Sequence, residues 1–269
     1  MTDIEYLKKY YKGNIEDAYK LLDEGLPVQY IVGEVDFYGN IFKVNKNVLI
    51  PRFETEQLIE LTMEYISDKF NGSVDILDIG TGSGCIAITL KKNINSNVDA
   101  VDISDKAIEV AKENAILNKV NINIFKSDML SNVDKKYDVI ISNPPYIGRE
   151  EEIDSIVEKN EPHIALYADN DGLYYYEKIL KNCKKNLKYN FIIAFEIGKS
   201  QGKKVKNIAL KYLDNIDVYI KKDLNHLDRF VIIVSKSHWQ TVIRVLYMLY
   251  KLVYLNNSGG IRFPNDFYF

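Results

Sequence analysis

Seven short apolar runs, spaced along the chain and separated by helix-periodic or polar stretches, limit the folds open to this sequence more than anything else in it. They fall at 74–79, 98–101, 122–125, 139–142, 191–196, 216–219 and 230–234. Runs of four to six residues rich in Val, Ile and Phe, bounded by polar or helix-periodic stretches, are strand-length. Apolar residues recur at helical spacing between most of them, at 85–92, 105–118, 173–187 and 201–213. Strand-helix alternation of this kind predicts βαβ units, that is, an α/β doubly wound, mostly parallel sheet of seven strands. Ligands of such sheets sit at the carboxyl ends of the strands. With 269 residues, 46% of them hydrophobic, the chain has enough apolar surface to cover that sheet on both sides.

Ahead of the sheet, 4–22 reads as two short helical pieces broken at Gly13-Asn14, with Asp3 and Asn14 as caps. The stretch 30–44 reads as a β-hairpin turning at Tyr38-Gly39-Asn40, and a helix begins near Glu54. The expected division is a short helical element over 1–28, a hairpin linker over 29–50, the main α/β domain over 51–236 and an apolar, aromatic tail over 237–269. That tail, "HWQTVIRVLYMLYKLVYL", is too short and too charged for a membrane span and reads as an amphipathic helix.

Several functions are disfavoured at once. A formal net charge of -3 gives no global attraction to nucleic acid or an anionic membrane. Late lysines such as Lys181, Lys184, Lys185 and Lys188 recur at helical spacing and read as a solvated face. Cys85 and Cys183 lie far apart, so neither a disulfide framework nor a zinc site is indicated, and no metal is expected. His163, His226 and His238 form no His-Glu-x-x-His pattern, and there is no Gly-x-Ser-x-Gly elbow. The N-terminus lacks the apolar core of a secretory signal, which makes the cytoplasm the expected location.

Three strand ends carry residues that strand termination alone does not require. The run at 74–79 passes into "DIGTGSG", with Gly80, Thr81, Gly82, Ser83 and Gly84 at the strand-to-helix turn. Glycine there permits φ > 0 and lets the backbone close on a ligand. Asp102, eighteen positions after Gly84, ends the second strand and is an acceptor-only group suited to both ribose hydroxyls. A dinucleotide fingerprint would want a third glycine where Cys85 stands. The actual spacing favours a nucleoside ligand without phosphates, such as S-adenosylmethionine, over a nicotinamide cofactor. Asp128 and Met129, after the third strand, are placed to accept from an adenine amino group and to cover its ring.

The fourth strand stops at Asn143-Pro144-Pro145-Tyr146. Two prolines fix φ and remove two N–H donors, leaving carbonyl oxygens uncontested for a substrate. The Asn143 side-chain oxygen and the Pro144 carbonyl then suit both hydrogens of a planar NH2 group, with Tyr146 packed on its face. Such a nitrogen is a poor nucleophile because resonance delocalises its lone pair, as in the peptide bond. Holding both hydrogens directs that lone pair at a methyl donor. A Pro-Pro turn explains the stop but neither the Asn nor the Tyr.

These stretches, with "LPVQYIVGEVDFYG", "LIPRFETE", "VDIS", "SDML", "SNPPYI" and "EPHIAL", resemble the release-factor glutamine methyltransferases over residues 27–236. The resemblance implies a class I methyltransferase (Rossmann-like) domain and S-adenosylmethionine as cofactor. It implies a peptide-chain release factor as protein substrate, methylated on the glutamine of its Gly-Gly-Gln motif in translation termination. It also implies cofactor contacts from Gly80 to Gly84, Asp102, Asp128, Met129 and Asn143, with Asn143 to Tyr146 holding the glutamine carboxamide. Members of the family usually carry a longer helical domain before the hairpin than the Met1 to Glu24 portion here, so less docking area is expected. The "NPPY" motif is shared with adenine-N6 methyltransferases of DNA and RNA, one alternative. A cofactor-binding module without turnover is another.

Overall fold

The computed structural model describes residues 2–236, and the tail from 237 on lies outside the described residues. Three helices open the chain: α1 (Asp3–Tyr10), α2 (Ile15–Asp23) and α3 (Val28–Val32). The first is capped by Thr2 rather than by the expected Asp3. The Thr2 hydroxyl accepts from the Glu5 N–H while the Glu5 carboxylate accepts from the Thr2 N–H, a reciprocal capping box. Asn14 caps α2 as its sequence position suggests. Leu7, Ala18, Val28 and Ile31 join in a small core of their own.

The hairpin is shorter than its sequence pattern implies. Residues 30–32, β-branched and aromatic, belong to α3, which Pro27 opens and Gly33, in the left-handed region, closes. Only β1 (Glu34–Phe37) and β2 (Asn40–Lys43) pair, with Phe37 opposite Asn40 and Tyr38-Gly39 between them, both at positive φ as a two-residue hairpin turn requires. Buried Phe37 and Phe42 meet edge to face at 5.8 Å.

After α4 (Phe53–Lys69) the predicted alternation follows. Its order is β3 (Val74–Ile79), α5 (Cys85–Asn93), β4 (Ser96–Asp102), α6 (Asp105–Leu117), β5 (Asn123–Lys126) and β6 (Tyr137–Ser142). A short pair, β7 (Ile147–Gly148) and β8 (Tyr167–Ala168), flanks α7 (Ser155–Asn160). The chain then forms α8 (Tyr174–Asn182), β9 (Leu187–Glu196), α9 (Gly202–Tyr212), β10 (Ile216–Lys222) and β11 (Asp228–Ser235). The helix expected over 173–187 ends at Asn182, passes through a 3-10 turn at Cys183–Asn186 and yields to β9.

The seven long strands form one sheet in the order β10-β11-β9-β6-β3-β4-β5, parallel except where β11 runs against both its neighbours. Residue parity sorts its two faces. Ile76, Val139, Ile141, Ile192 and Ala194 pack toward α4, α5, α6 and the hairpin. Leu77, Ile79, Ile140, Ile193 and Phe195 pack toward α8 and α9. The sheet grows from β3 through β4 to β5, then returns to place β6 on the other side of β3. That reversal opens a crevice at the carboxyl ends of β3 and β6. Among the described residues no helix is long and apolar enough to cross a membrane.

Asn114 on α6, fully buried, ties three parts together. Its oxygen accepts from the Lys43 N–H at 2.7 Å, and its amide nitrogen donates to the Lys43 carbonyl at 3.0 Å and the Ser83 carbonyl at 2.8 Å. Asn114→Ala is expected to destabilise the protein by about 1–3 kcal/mol for each buried group it leaves unpaired. Urea unfolding checks this, and an unchanged midpoint would show the staple to be redundant.

Candidate active site

The crevice between β3 and β6 is a cavity of about 260 Å³. The Ser142 hydroxyl donates to the Ile79 carbonyl at 2.6 Å and holds the two strand ends together. Gly80, Thr81, Gly82 and Ser83 form one wall, Asp102 to Ser104 the next, and Ser127, Asp128 and Met129 a third, each from the carboxyl end of a different strand. Asn143 and Pro145 contribute from the end of β6.

Gly80 and Gly82 have φ of 72° and 54°, and a Cβ built on either meets no protein atom. The wall there is bare backbone facing open space. The Asp102 carboxylate is fixed by the N–H groups of Gly82 and Ser104, each at 2.9 Å, and its pKa is raised because burial outweighs those two donors. Behind the glycines lies Asp78, wholly buried on β3. One oxygen accepts from the Thr81 hydroxyl at 2.6 Å, and the other has no partner among the described residues. Burial pushes the Asp78 carboxyl up to about 7, with Asp102 adding to the rise and Thr81 opposing it. The Ser83 hydroxyl is likewise buried without a partner. A glycine cradle of bare backbone and a fixed acceptor carboxylate beside it fit a nucleoside cofactor that carries hydroxyl groups.

Three residues singled out by sequence do not line the cavity. Gly84 (φ 82°) faces α6 instead, where a Cβ would come within 3.2 Å of Ala111, so it sets helix packing. Pro144 is buried, and Tyr146 is half-buried beside the cavity. The Tyr146 carbonyl accepts from the Gln201 amide at 2.8 Å. Gly172 approaches that carbonyl so closely that an added Cβ would stand 2.0 Å from it. Asp128 does line the cavity, but Lys178 of α8 already holds both its oxygens, at 2.8 and 2.7 Å.

Sequence reasoning also passed over residues that the fold delivers from afar. Arg52 pairs with the buried Glu161, whose second oxygen accepts from the Ile50 N–H at 3.2 Å, so "LIPRFETE" and "EPHIAL" are joined beside the cavity that Arg52 and Pro162 line. Thr55 of α4 accepts from the Asn143 amide at 3.1 Å and donates to Glu196, the last residue of β9, at 2.7 Å. Tyr174, Tyr175 and Lys178 of α8 complete the wall. The motifs quoted for the family resemblance contained Arg52, Thr55 and Glu161; for Glu196 and Lys178 no local signal exists.

Comparison with known proteins agrees with this geometry. A family described as "Methyltransferase small domain" matches residues 57–161. A protein of Streptococcus pneumoniae named release factor glutamine methyltransferase is 43% identical over 222 residues, covering 81% of this chain and 78% of its own. One of the same name from Flavobacterium psychrophilum is 44% identical over 217 residues, covering 78% and 76%. Among solved structures, a methyltransferase from Pyrococcus furiosus shares the fold, with a TM-score of 0.56 at 18% identity over 75% of this chain and 91% of that one.

A stability prediction follows from Asp78. Its folded pKa lies above the unfolded carboxylate value, so its contribution is complete below about pH 4 and is lost as pH rises toward about 7. Asp78→Asn cannot ionise and should flatten part of the decline in Tm across that window. Identical pH slopes for the two proteins would show that Asp78 ionises freely.

Proposed function

The chain belongs to the release factor glutamine methyltransferase family, and from that premise we propose that it methylates the side-chain amide nitrogen of a release-factor glutamine from S-adenosylmethionine in the cavity between β3 and β6. The observation that carries this reading is the meeting of Asn143 and Pro145 with Gly80 to Ser83 and Asp102 around one cavity at the point where strand order reverses.

S-adenosylmethionine supplies a methyl group made electrophilic by a positively charged sulfur. The bare backbone of Gly80 and Gly82 would give that cofactor room, Asp102 would accept from its ribose hydroxyls, and Met129 would cover its base. Asp128 serves the base's amino group while keeping its pairing with Lys178. Asn143, which lines the cavity with Pro145, would accept one hydrogen of the glutamine NH2 and so direct the nitrogen lone pair toward the methyl; Pro144, behind that lining, fixes the backbone that presents it. Tyr146 fixes the carboxamide plane from the side, its own backbone carbonyl tied down by Gln201. Positioning of this kind matters most where the nucleophile is weak, because a misplacement of about 1 Å costs about 10²-fold in rate.

Residues 51–236 would form the catalytic domain. The helices of 1–28 and the hairpin of 29–50 are suited to contact the protein substrate. A release factor acts in translation, which puts the reaction in the cytoplasm.

Two variants test the assignment. Asp102→Ala should weaken S-adenosylmethionine binding by about 1.5–3 kcal/mol, the range for hydrogen bonds to a charged group. Calorimetry giving wild-type affinity in the folded variant would remove Asp102 from the site. Asn143→Ala should keep most cofactor affinity and lose about 10²-fold in methyl transfer to a glutamine peptide. Equal single-turnover rates at saturating cofactor would defeat the catalytic reading of the whole Asn-Pro-Pro-Tyr stretch.

A further inference from the structure

The side chain of Asn143 serves the proposed reaction only in one of its two orientations. With the oxygen toward the substrate it accepts from the glutamine NH2; with the amide turned over, two NH2 groups face each other and repel. The backbone of the strand end does not choose between them. The choice is made by a chain of polar groups reaching back into the core. Glu196 is buried, and its Oε2 lies 2.7 Å from the Thr55 hydroxyl; Thr55 Oγ1 lies 3.1 Å from Asn143 Nδ2.

The polarity of this chain follows from donor chemistry. An ionised carboxylate only accepts, so the Thr55 hydroxyl must spend its one proton on Glu196. Thr55 then has only lone pairs left for Asn143, so Asn143 must present its NH2 to Thr55. Among the described residues no donor reaches Asn143 Oδ1, which leaves that oxygen for substrate.

We propose that Thr55 and Glu196 are positioning residues for methyl transfer, a relay whose hydrogen-bond polarity holds Asn143 with its carboxamide oxygen toward the substrate nitrogen. This rests on the function proposed above. Protonated Glu196 can donate to Thr55, whose hydroxyl then turns its proton on Asn143 and favours the wrong orientation. Burial pushes the Glu196 carboxyl up to about 7, while the Thr55 hydroxyl acts in the other direction. The groups facing it are Arg52 and Glu54 at the start of α4, Arg229 on β11, Tyr146 after β6, Tyr176 on α8 and Cys85 on α5. The two arginines favour ionisation and Glu54 opposes it. The orientation of Asn143 therefore becomes uniform as pH rises through neutrality.

The test is single-turnover methyl transfer to a glutamine peptide at saturating S-adenosylmethionine, with cofactor affinity measured separately by calorimetry. Thr55→Val should bind cofactor as wild type does and transfer about 10-fold more slowly. Thr55→Ser, which keeps the hydroxyl, should restore the rate. The wild-type rate should rise as pH passes through about 7. Glu196→Gln, whose amide oxygen still accepts from Thr55 but cannot ionise, should lose that rise. Asp78 titrates in the same range, so retention of the full rise in Glu196→Gln would overturn the relay. So would a wild-type rate in Thr55→Val, or Val and Ser variants that are equally slow. If Thr55→Val fails to fold, the Glu196→Gln profile decides alone. A wild-type enzyme that transfers no methyl to the peptide would overturn the proposed function and the relay together, whereas an active wild type with unaffected variants would overturn the relay only.

Discussion

The reversal of strand order about β3 is the constraint on which the rest of this molecule depends. Because the chain first extends the sheet from β3 to β5 and then returns to set β6 on the opposite side, α5, which follows β3, and α8, which lies between β6 and β9, cover opposite faces. A crevice forms at this reversal, at the carboxyl ends of the strands. The Ser142 hydroxyl on the Ile79 carbonyl keeps its base closed at 2.6 Å. The base of the crevice is therefore built from strand-end residues such as Gly80, Asp102 and Asn143, held by a sheet whose strands are buried on both sides. This is the rigidity that orienting a weak nucleophile demands.

Around this crevice the protein keeps carboxyl groups where apolar surroundings disfavour their charge. Asp78 and Glu196 sit on the same face of the sheet, under α5 and α4, and burial raises both into the neutral range. Asp102, nearer the opening, is held by two backbone N–H groups. Stability given up at Asp78 and Glu196 is consistent with a site in which polar groups are oriented in advance rather than satisfied for their own sake. The pairing of Arg52 with Glu161 brings the loop before α4 and the segment after α7 together beside the cavity.

Much of this was legible in the sequence, and for a physical reason. The strand at 74–79 was readable to the residue, since a short segment rich in Val, Ile and Leu that runs into a glycine turn ahead of a helix-periodic stretch has few other ways to fold. The glycines, Asp102 and Asn143 stood out because each is a residue type that a strand end does not need. What stayed hidden was long-range. The partnership of Thr55 with Glu196 spans 141 positions, and that of Asn143 with Thr55 spans 88, so no periodicity or spacing reports either. Residues 30–32 misled because β-branched side chains read as strand, while Pro27 and Gly33 bound a single helical turn. Gly84 shares a motif with Gly80 and Gly82 but answers to Ala111 across the helix interface, a distinction only packing reveals.

In the proposed reaction the group held at Asn143 is a protein carboxamide. The most direct measurement is tandem mass spectrometry after the full chain is incubated with S-adenosylmethionine and equal amounts of a release factor bearing the Gly-Gly-Gln motif and an adenine-containing oligonucleotide. One added methyl on the glutamine side-chain nitrogen and an unmodified oligonucleotide are expected. A methylated adenine beside an unmodified glutamine would contradict the proposed reaction.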